Sequence, residues 1–123
     1  MAFSFLKIIN KLNIGKTLYY SNSEECVNRI EILIKKYNVN LILPIDWVIA
    51  DNIKSSECLT INNNIPDDMM GLDIGSETIS LFNNVINNIS SDNIIVWNGP
   101  MGVFEKEEYS YGTESIAKTL ISK

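Results

Sequence analysis

Histidine is absent from this sequence of 123 residues, which also contains only two cysteines and three prolines. Without histidine, the Ser-His-Asp and Cys-His catalytic arrangements and every histidine-bearing metal site are excluded. Cys26 and Cys58 are far apart and form no CxxC pair, a pattern that fits neither a disulfide framework nor a zinc ligand set. We therefore expect free thiols, with Cys26 buried on the apolar side of a helix.

Basic residues are also too few to form a nucleic-acid-binding face. The 10 lysines and arginines are outnumbered by 15 aspartates and glutamates, which gives a net charge of −5. The most apolar stretch, residues 41–50, is about half the length of a membrane span and contains Pro44 and Asp46. No basic segment followed by an unbroken apolar run begins the sequence, so no signal peptide is predicted. We expect a cytoplasmic protein with no nucleic-acid or membrane partner.

The pattern of apolar residues predicts helices that alternate with strands. Apolar residues recur at helical spacing in residues 23–37, 76–89 and 116–121, and Ser23 and Ser76 can cap the first two helices. The strand candidates are residues 41–43, 47–50, 58–61 and 93–97. Most of these runs are continuously apolar, which is typical of strands covered on both faces in a parallel sheet. The sequence therefore predicts an α/β fold with a mainly parallel sheet.

Two loops that contain glycine pairs are the candidate ligand-binding segments, at residues 71–75 and 98–102. Ligands of such sheets bind beyond the carboxyl ends of the strands. Gly99 and Gly102 can adopt a positive φ and allow a ligand close to the backbone. Asn98 offers an amide donor and acceptor for a phosphate or a metal-bound water, and Glu105 could accept both hydrogen bonds of a sugar diol.

Each of these residues also has a purely structural explanation. Glycines and a proline in a loop often mark only a tight turn. Leu72 and Val103 would suit the core of any α/β domain, and Glu105 lies in a charged run that is typically solvated. The residues by themselves leave these alternatives open.

Four segments resemble the phosphoglycerate kinase family, in the same order along the chain. Residues 98–105, NGPMGVFE, follow Ile-Val-Trp and are similar to the signature of the family's nucleotide-binding lobe. Three further segments resemble the family's MAFTFLK, LPVDVVVAD and MGLDIGPET, namely MAFSFLK at 1–7, LPIDWVIAD at 43–51 and MGLDIGSET at 70–78. Ser76 stands where the family usually has proline, and Trp47 replaces a smaller apolar residue.

The resemblance implies a glycolytic phosphotransferase that uses ATP or ADP with Mg²⁺ and interconverts 3-phosphoglycerate and 1,3-bisphosphoglycerate. It also implies that residues 1–123 are an incomplete nucleotide-binding lobe: a partial Rossmann-like, three-layer domain that lacks its first strand and its C-terminal part. The implied nucleotide-binding roles are Glu105 for the ribose, Gly71, Leu72 and Val103 for the adenine, and Asn98, Gly99 and Gly102 near the phosphates.

The family's charge-stabilising elements match no segment of this sequence. These are the lobe that binds 3-phosphoglycerate, a lysine that contacts the nucleotide phosphates, and a GGGD-type loop that holds phosphate and magnesium. We therefore assign no catalytic residue and no metal ligand, and we expect the chain to be inactive alone. It could be one piece of a split enzyme completed by a complementary fragment, or a non-catalytic adenine-nucleotide-binding remnant.

Overall fold

The computed structural model describes all of residues 1–123 and contains four α-helices, three β-strands and one 3₁₀ turn. In chain order the elements are α1 (Ala2–Ile9), α2 (Ser23–Tyr37), β1 (Trp47–Ala50), β2 (Leu59–Ile61), β3 (Met70–Ile74), α3 (Ser76–Asn87), the 3₁₀ turn Glu107–Tyr109 and α4 (Tyr111–Ile121). The α/β class is thus confirmed, as are the expected helices and the strands near residues 47–50 and 58–61.

The sheet has the strand order β2-β1-β3, and both pairings are antiparallel. Trp47 lies opposite Ile61 of β2 and Ile74 of β3, so β1 is the central strand. A register shift between Val48 and Ile49 marks a bulge against β3. The only parallel pairing is an isolated bridge between Ile14 and Ile65.

The mainly parallel, Rossmann-like sheet expected from the sequence is therefore not confirmed. The runs at residues 41–43 and 93–97 are not strands, whereas residues 70–74, expected to be a glycine-rich bend, form β3. Ile94 and Val96 are 89% and 85% exposed. A continuous apolar run forms a strand only where another strand satisfies its backbone groups, and these runs have no such neighbour in the chain.

The helix caps also differ from the expectation. Neither Ser23 nor Ser76 caps its helix, since Asn22 and Gly75 occupy the cap positions without a side-chain hydrogen bond. The carboxylate of Asp46, just before β1, instead accepts hydrogen bonds from the backbone N–H groups of Glu77 (3.0 Å) and Thr78 (2.7 Å). This long-range cap satisfies orphan donors at the start of α3 and joins the helix to the central strand.

The buried apolar residues form three small clusters around the sheet. One side is filled by Leu6, Trp47, Ile49 and Ile65; Ala50, Leu72 and Tyr109 form a second cluster; Ile74, Ile79 and Ile116 join the sheet to α3 and α4. Cys26 and Cys58 are both free, but Cys26 is exposed, contrary to the expectation that it is buried. None of the helices has the length and apolar character needed to cross a membrane.

Candidate functional site

The second glycine loop packs along β3, the strand that contains Gly71 of the first glycine pair. The backbone N–H of Val103 donates a 2.9 Å hydrogen bond to the carbonyl oxygen of Leu72, which fixes residues 101–103 beside the strand. A cavity of about 510 Å³ opens there, and we call it the β3 pocket. It is lined by Met1, Phe3, Thr17, Leu18, Asn52, Ile53, Met70, Gly71, Leu72, Met101, Gly102 and Val103.

Four of the seven predicted nucleotide-binding residues line this pocket: Gly71, Leu72, Gly102 and Val103. Gly71 lies beneath the ring of Phe3, where a Cβ atom would be only 2.1 Å from the Phe3 Cζ. Leu72 is buried against Ala50 and Tyr109, and Val103 packs against the same cluster. Leu72 is therefore a core residue and Val103 a partly buried neighbour of the same cluster, and both also line the pocket. Their nucleotide-binding role stays a prediction.

The other three predicted residues lie outside the β3 pocket. Asn98, Gly99 and Glu105 are exposed. Gly99 lines a separate, shallower cleft of about 280 Å³ with Trp97, Pro100, Phe104 and Thr113. The structure thus brings together the residues predicted for the base, together with Gly102, but not the residue predicted for the ribose or two of those predicted for the phosphates.

The two glycines of the second loop are glycines for different reasons. Gly99 has φ +84°, in the left-handed region, and no atom lies within 4 Å of where its Cβ would be. The expectation of positive φ is therefore confirmed for Gly99 and wrong for Gly102. At Gly102 a Cβ would lie 2.5 Å from both the Leu72 carbonyl oxygen and the Asp73 Oδ1, so close packing excludes a side chain.

Two threonines, for which the sequence predicts no role, hold the pocket's backbone. The Gly71 N–H donates to Thr17 Oγ1 at 2.9 Å, and the Met101 N–H donates to Thr113 Oγ1 at 3.0 Å. Each hydroxyl therefore satisfies a donor in the pocket lining that the sheet leaves unpaired. Neither threonine belongs to an apolar pattern, so only the tertiary structure reveals its role.

The 3₁₀ turn holds the far edge of the pocket, where Asn52 and Ile53 lie. The Tyr109 hydroxyl donates to the Ser55 carbonyl oxygen at 2.5 Å, and the Lys106 ammonium donates to the Lys54 carbonyl oxygen at 2.9 Å. Burial raises the pKa of the Tyr109 phenol above its ordinary value, with nearby acidic groups contributing in the same direction. Tyr109 therefore remains a neutral hydrogen-bond donor at physiological pH.

None of the side chains that line the pocket is charged, because none of the lining residues is Asp, Glu, Lys or Arg. Its walls are largely aliphatic, sulfur-containing or aromatic, with Thr17 and Asn52 as polar points. This chemistry fits a flat ring system that is held mainly by apolar contacts. No lining side chain could neutralise a phosphate, and no group of three or more His, Cys, Asp or Glu side chains is placed to hold a metal ion.

Comparison of the sequence and of the fold with known proteins identifies the family of this chain. The model of the phosphoglycerate kinase family matches residues 1–123. The chain belongs to the phosphoglycerate kinase family. It is 42% identical to phosphoglycerate kinase from Schistosoma mansoni over 94% of this chain and 28% of the relative, and 41% identical to that of a Nostoc species over 98% and 30%. The solved structure of the Coxiella burnetii phosphoglycerate kinase matches 99% of this chain and 31% of that one, with a TM-score of 0.89 at 28% identity.

The resemblance seen in the four sequence segments is thus confirmed at the level of the family. The chain spans about 30% of the length of the phosphoglycerate kinases that it matches. The assignment to the nucleotide-binding lobe and the roles of the individual residues stay predictions, because neither the family match nor the structural match contains a ligand contact.

Proposed function

We propose that this chain forms the adenine-binding part of the nucleotide-binding lobe of a phosphoglycerate kinase. The observation that carries the proposal is the Val103–Leu72 hydrogen bond, because it joins β3 and the second glycine loop, which are distant in sequence, into one pocket whose lining side chains carry no charge. The base would lie between Gly71–Leu72 on one side and Val103 on the other. Glu105 would bind the ribose, and Asn98, Gly99 and Gly102 would lie near the phosphates.

The activity of the complete enzyme would be the glycolytic exchange of a phosphoryl group between ATP and 3-phosphoglycerate, in the cytoplasm. Such a transfer depends on positioning and on neutralising charge with cations and magnesium. The residues around the β3 pocket supply positioning of the base but no such charge. The magnesium ligands and the 3-phosphoglycerate site therefore have to come from other parts of the enzyme, and this chain alone is expected to bind nucleotide without catalysing transfer.

A complementary part of the same enzyme is the partner that the surface of this chain favours. Residues 94–97 expose apolar side chains on a backbone that pairs with no strand, and residues 95–97 help to line an entirely apolar groove of about 240 Å³ between α3 and α4. Unpaired backbone N–H and C=O groups beside apolar side chains favour the addition of a strand from another segment. The remaining part of the enzyme, in the same or another chain, could supply the strands of a parallel, Rossmann-like sheet at this edge.

A non-catalytic adenine-nucleotide-binding module is the second candidate function. It is favoured by the same uncharged lining, since a pocket that contacts mainly the base needs no catalytic groups. The two candidates differ in what a complementary part of the enzyme does. Only a piece of a kinase gains phosphoryl-transfer activity when the rest of the enzyme is supplied.

The test is calorimetric titration of the 123-residue chain with adenosine, ADP and inorganic phosphate. We expect adenosine and ADP to bind with similar affinity and phosphate not to bind, because the base supplies most of the contact area. Glu105→Gln should weaken adenosine and ADP about threefold to tenfold, as expected for a partly solvated charged hydrogen bond. The matched control Glu107→Gln, an exposed acid two positions away, should bind like wild type.

Failure of both adenosine and ADP to bind at millimolar concentration would overturn the adenine-binding proposal. Coexpression with the part of a phosphoglycerate kinase that this chain does not match then separates the two candidate functions. ATP formation from 1,3-bisphosphoglycerate and ADP would favour the split-kinase function. Nucleotide binding without gain of activity would favour the binding module.

A further inference from the structure

Asp73 is a buried carboxylate in the middle of an otherwise apolar strand, and nothing above assigns it a role. Asp73 lies in β3, opposite Val48 of β1, and is 3% exposed. Its Oδ2 accepts a 2.8 Å hydrogen bond from the backbone N–H of Gly112, and its Oδ1 accepts one of 2.8 Å from its neighbour Ile74. A buried charge is costly unless it is well paired, so its retention here calls for an explanation.

Two glycines from different segments pack directly against this carboxylate. A Cβ at Gly102 would lie 2.5 Å from Asp73 Oδ1, and a Cβ at Gly112 would lie 2.3 Å from the same atom. Neither glycine has a positive φ, so close packing, and not the backbone conformation, excludes a side chain. Asp73 contributes to this packing at both positions, together with the Leu72 carbonyl oxygen at Gly102 (2.5 Å) and the Ile74 Cγ1 at Gly112 (2.6 Å). Asp73 is therefore the common neighbour of the loop that carries Val103 and of the first turn of α4.

These contacts close a ring around the wall of the β3 pocket. The first link is the hydrogen bond from the Gly112 N–H to Asp73. Thr113 follows Gly112 in the chain, and its hydroxyl accepts a hydrogen bond from the Met101 N–H. The ring then passes along the loop to Val103, whose N–H returns to the Leu72 carbonyl oxygen next to Asp73. Every link is a hydrogen bond or a direct chain neighbour, and Asp73 is the only charged group in the ring.

We propose that Asp73 is a positioning residue that fixes the Gly102–Val103 wall against β3 and so sets the width of the β3 pocket. The effect on nucleotide affinity rests on the proposed function of that pocket, whereas the effect on the wall itself does not. Its carboxylate form matters because both oxygens accept a backbone N–H. An asparagine has one acceptor oxygen, so its NH₂ group would have to face one of the two donors.

Asp46 provides a matched control, because it is also a buried carboxylate that accepts backbone N–H hydrogen bonds, but at the start of a different helix. Its carboxylate also accepts two backbone N–H groups at a helix start, those of Glu77 and Thr78 in α3. Neither Asp46 nor any residue of α3 lines the β3 pocket. Asp46→Asn and Asp73→Asn should therefore both lower stability, but only Asp73→Asn should loosen the pocket wall.

The experiment compares amide hydrogen exchange of the ligand-free chain in the two variants under conditions where both are folded. We expect Asp73→Asn to accelerate exchange at Val103 and Gly112 about tenfold or more while Glu77 and Thr78 stay near wild type. Asp46→Asn should give the reverse pattern. Equal acceleration at all four amides in both variants would mean that Asp73 is only a general stabilising residue, which would overturn the inference.

Titration with ADP supplies a second readout. Asp73→Asn should weaken ADP binding about fivefold or more, whereas Asp46→Asn should bind within twofold of wild type. If wild-type chain does not bind ADP, the proposed function fails while the exchange experiment still decides the role of Asp73. If Asp73→Asn does not fold, Thr113→Val breaks another link of the same ring, and exchange at Met101 and Val103 no faster than in Asp46→Asn would overturn the inference.

Discussion

Two four-residue apolar runs, residues 47–50 and 94–97, have similar compositions and opposite structures. The first, Trp-Val-Ile-Ala, is β1, and its Trp47 is 3% exposed. The second, Ile-Ile-Val-Trp, forms no strand, and its Trp97 is 41% exposed. The difference lies in their neighbours, since β1 has β2 on one side and β3 on the other.

The comparison shows that an apolar sequence is not sufficient for a strand. Burying a peptide group without a hydrogen-bond partner costs free energy, and this cost offsets the free energy gained by burying the adjacent apolar side chain. Residues 47–50 satisfy their backbone groups with strands from the same chain. Residues 94–97 would need strands from elsewhere, which is consistent with a chain that spans about 30% of the phosphoglycerate kinases that it matches.

The largest effect is expected from removing each tryptophan in turn. Trp47→Ala empties a site packed against Phe3, whose ring centroid is 6.0 Å away, and should lower the free energy of unfolding by about 3–5 kcal/mol. Trp97→Ala removes an exposed side chain and should cost less than about 1 kcal/mol. Urea unfolding followed by circular dichroism measures both. Equal losses would contradict the distinction between the two runs.

A smaller effect is expected from adding one methyl group to a glycine in each region. In Gly75→Ala the new Cβ would lie 2.1 Å from Asp46 Oδ2, so the α3 cap must be displaced, and we expect a loss of about 2–4 kcal/mol. Gly99→Ala meets no neighbouring atom but retains φ +84°, which should cost about 1–2 kcal/mol. The same urea titrations apply. If Gly99→Ala lowered the free energy of unfolding as much as Gly75→Ala, backbone conformation would matter as much as close packing, contrary to this expectation.

The smallest effect on stability, but a clear one on association, is expected at the exposed run itself. Val96→Lys places a charge on the unpaired apolar segment and should reduce concentration-dependent light scattering while changing the free energy of unfolding by less than about 0.5 kcal/mol. Ser91→Lys adds the same charge at an exposed polar position nearby. If Ser91→Lys reduced scattering equally, the presence of a lysine in this segment, and not the interruption of the apolar run, would explain the reduced scattering.

Local patterns predicted α2, α3 and α4 but not α1, and they predicted the sheet only in part. Ile79 and Phe82 of α3 pack with Ile116 of α4 inside this chain. The apolar faces of these two helices are therefore covered without other strands or helices, and both helices form as expected. The run at residues 93–97 also has a strand pattern, but no strand of this chain pairs with it. β3 was missed because Gly71 and Gly75 indicate a bend when only neighbours in sequence are considered.

The candidate site shows the same division. The family resemblance directed attention to Gly71, Leu72, Gly102 and Val103, and these residues do line one pocket. The roles of Asp46, Asp73, Thr17 and Thr113 could not be predicted, because each accepts a hydrogen bond from a backbone N–H group that is at least 12 positions away in sequence. The contacts of Asp73 with Gly102 and Gly112 depend on how three segments pack, which neither spacing nor composition contains.

The most direct test of this account is amide hydrogen exchange across the whole wild-type chain without ligand. We predict slow exchange at the paired amides of β1 and β3, at Thr78, and at Val103 and Gly112 around the pocket wall. Residues 94–97 should exchange close to the rate of an unstructured peptide, because their N–H groups have no partner. Protection of residues 94–97 as strong as that of β1 would show that the run finds a partner within the chain, and would contradict the central claim.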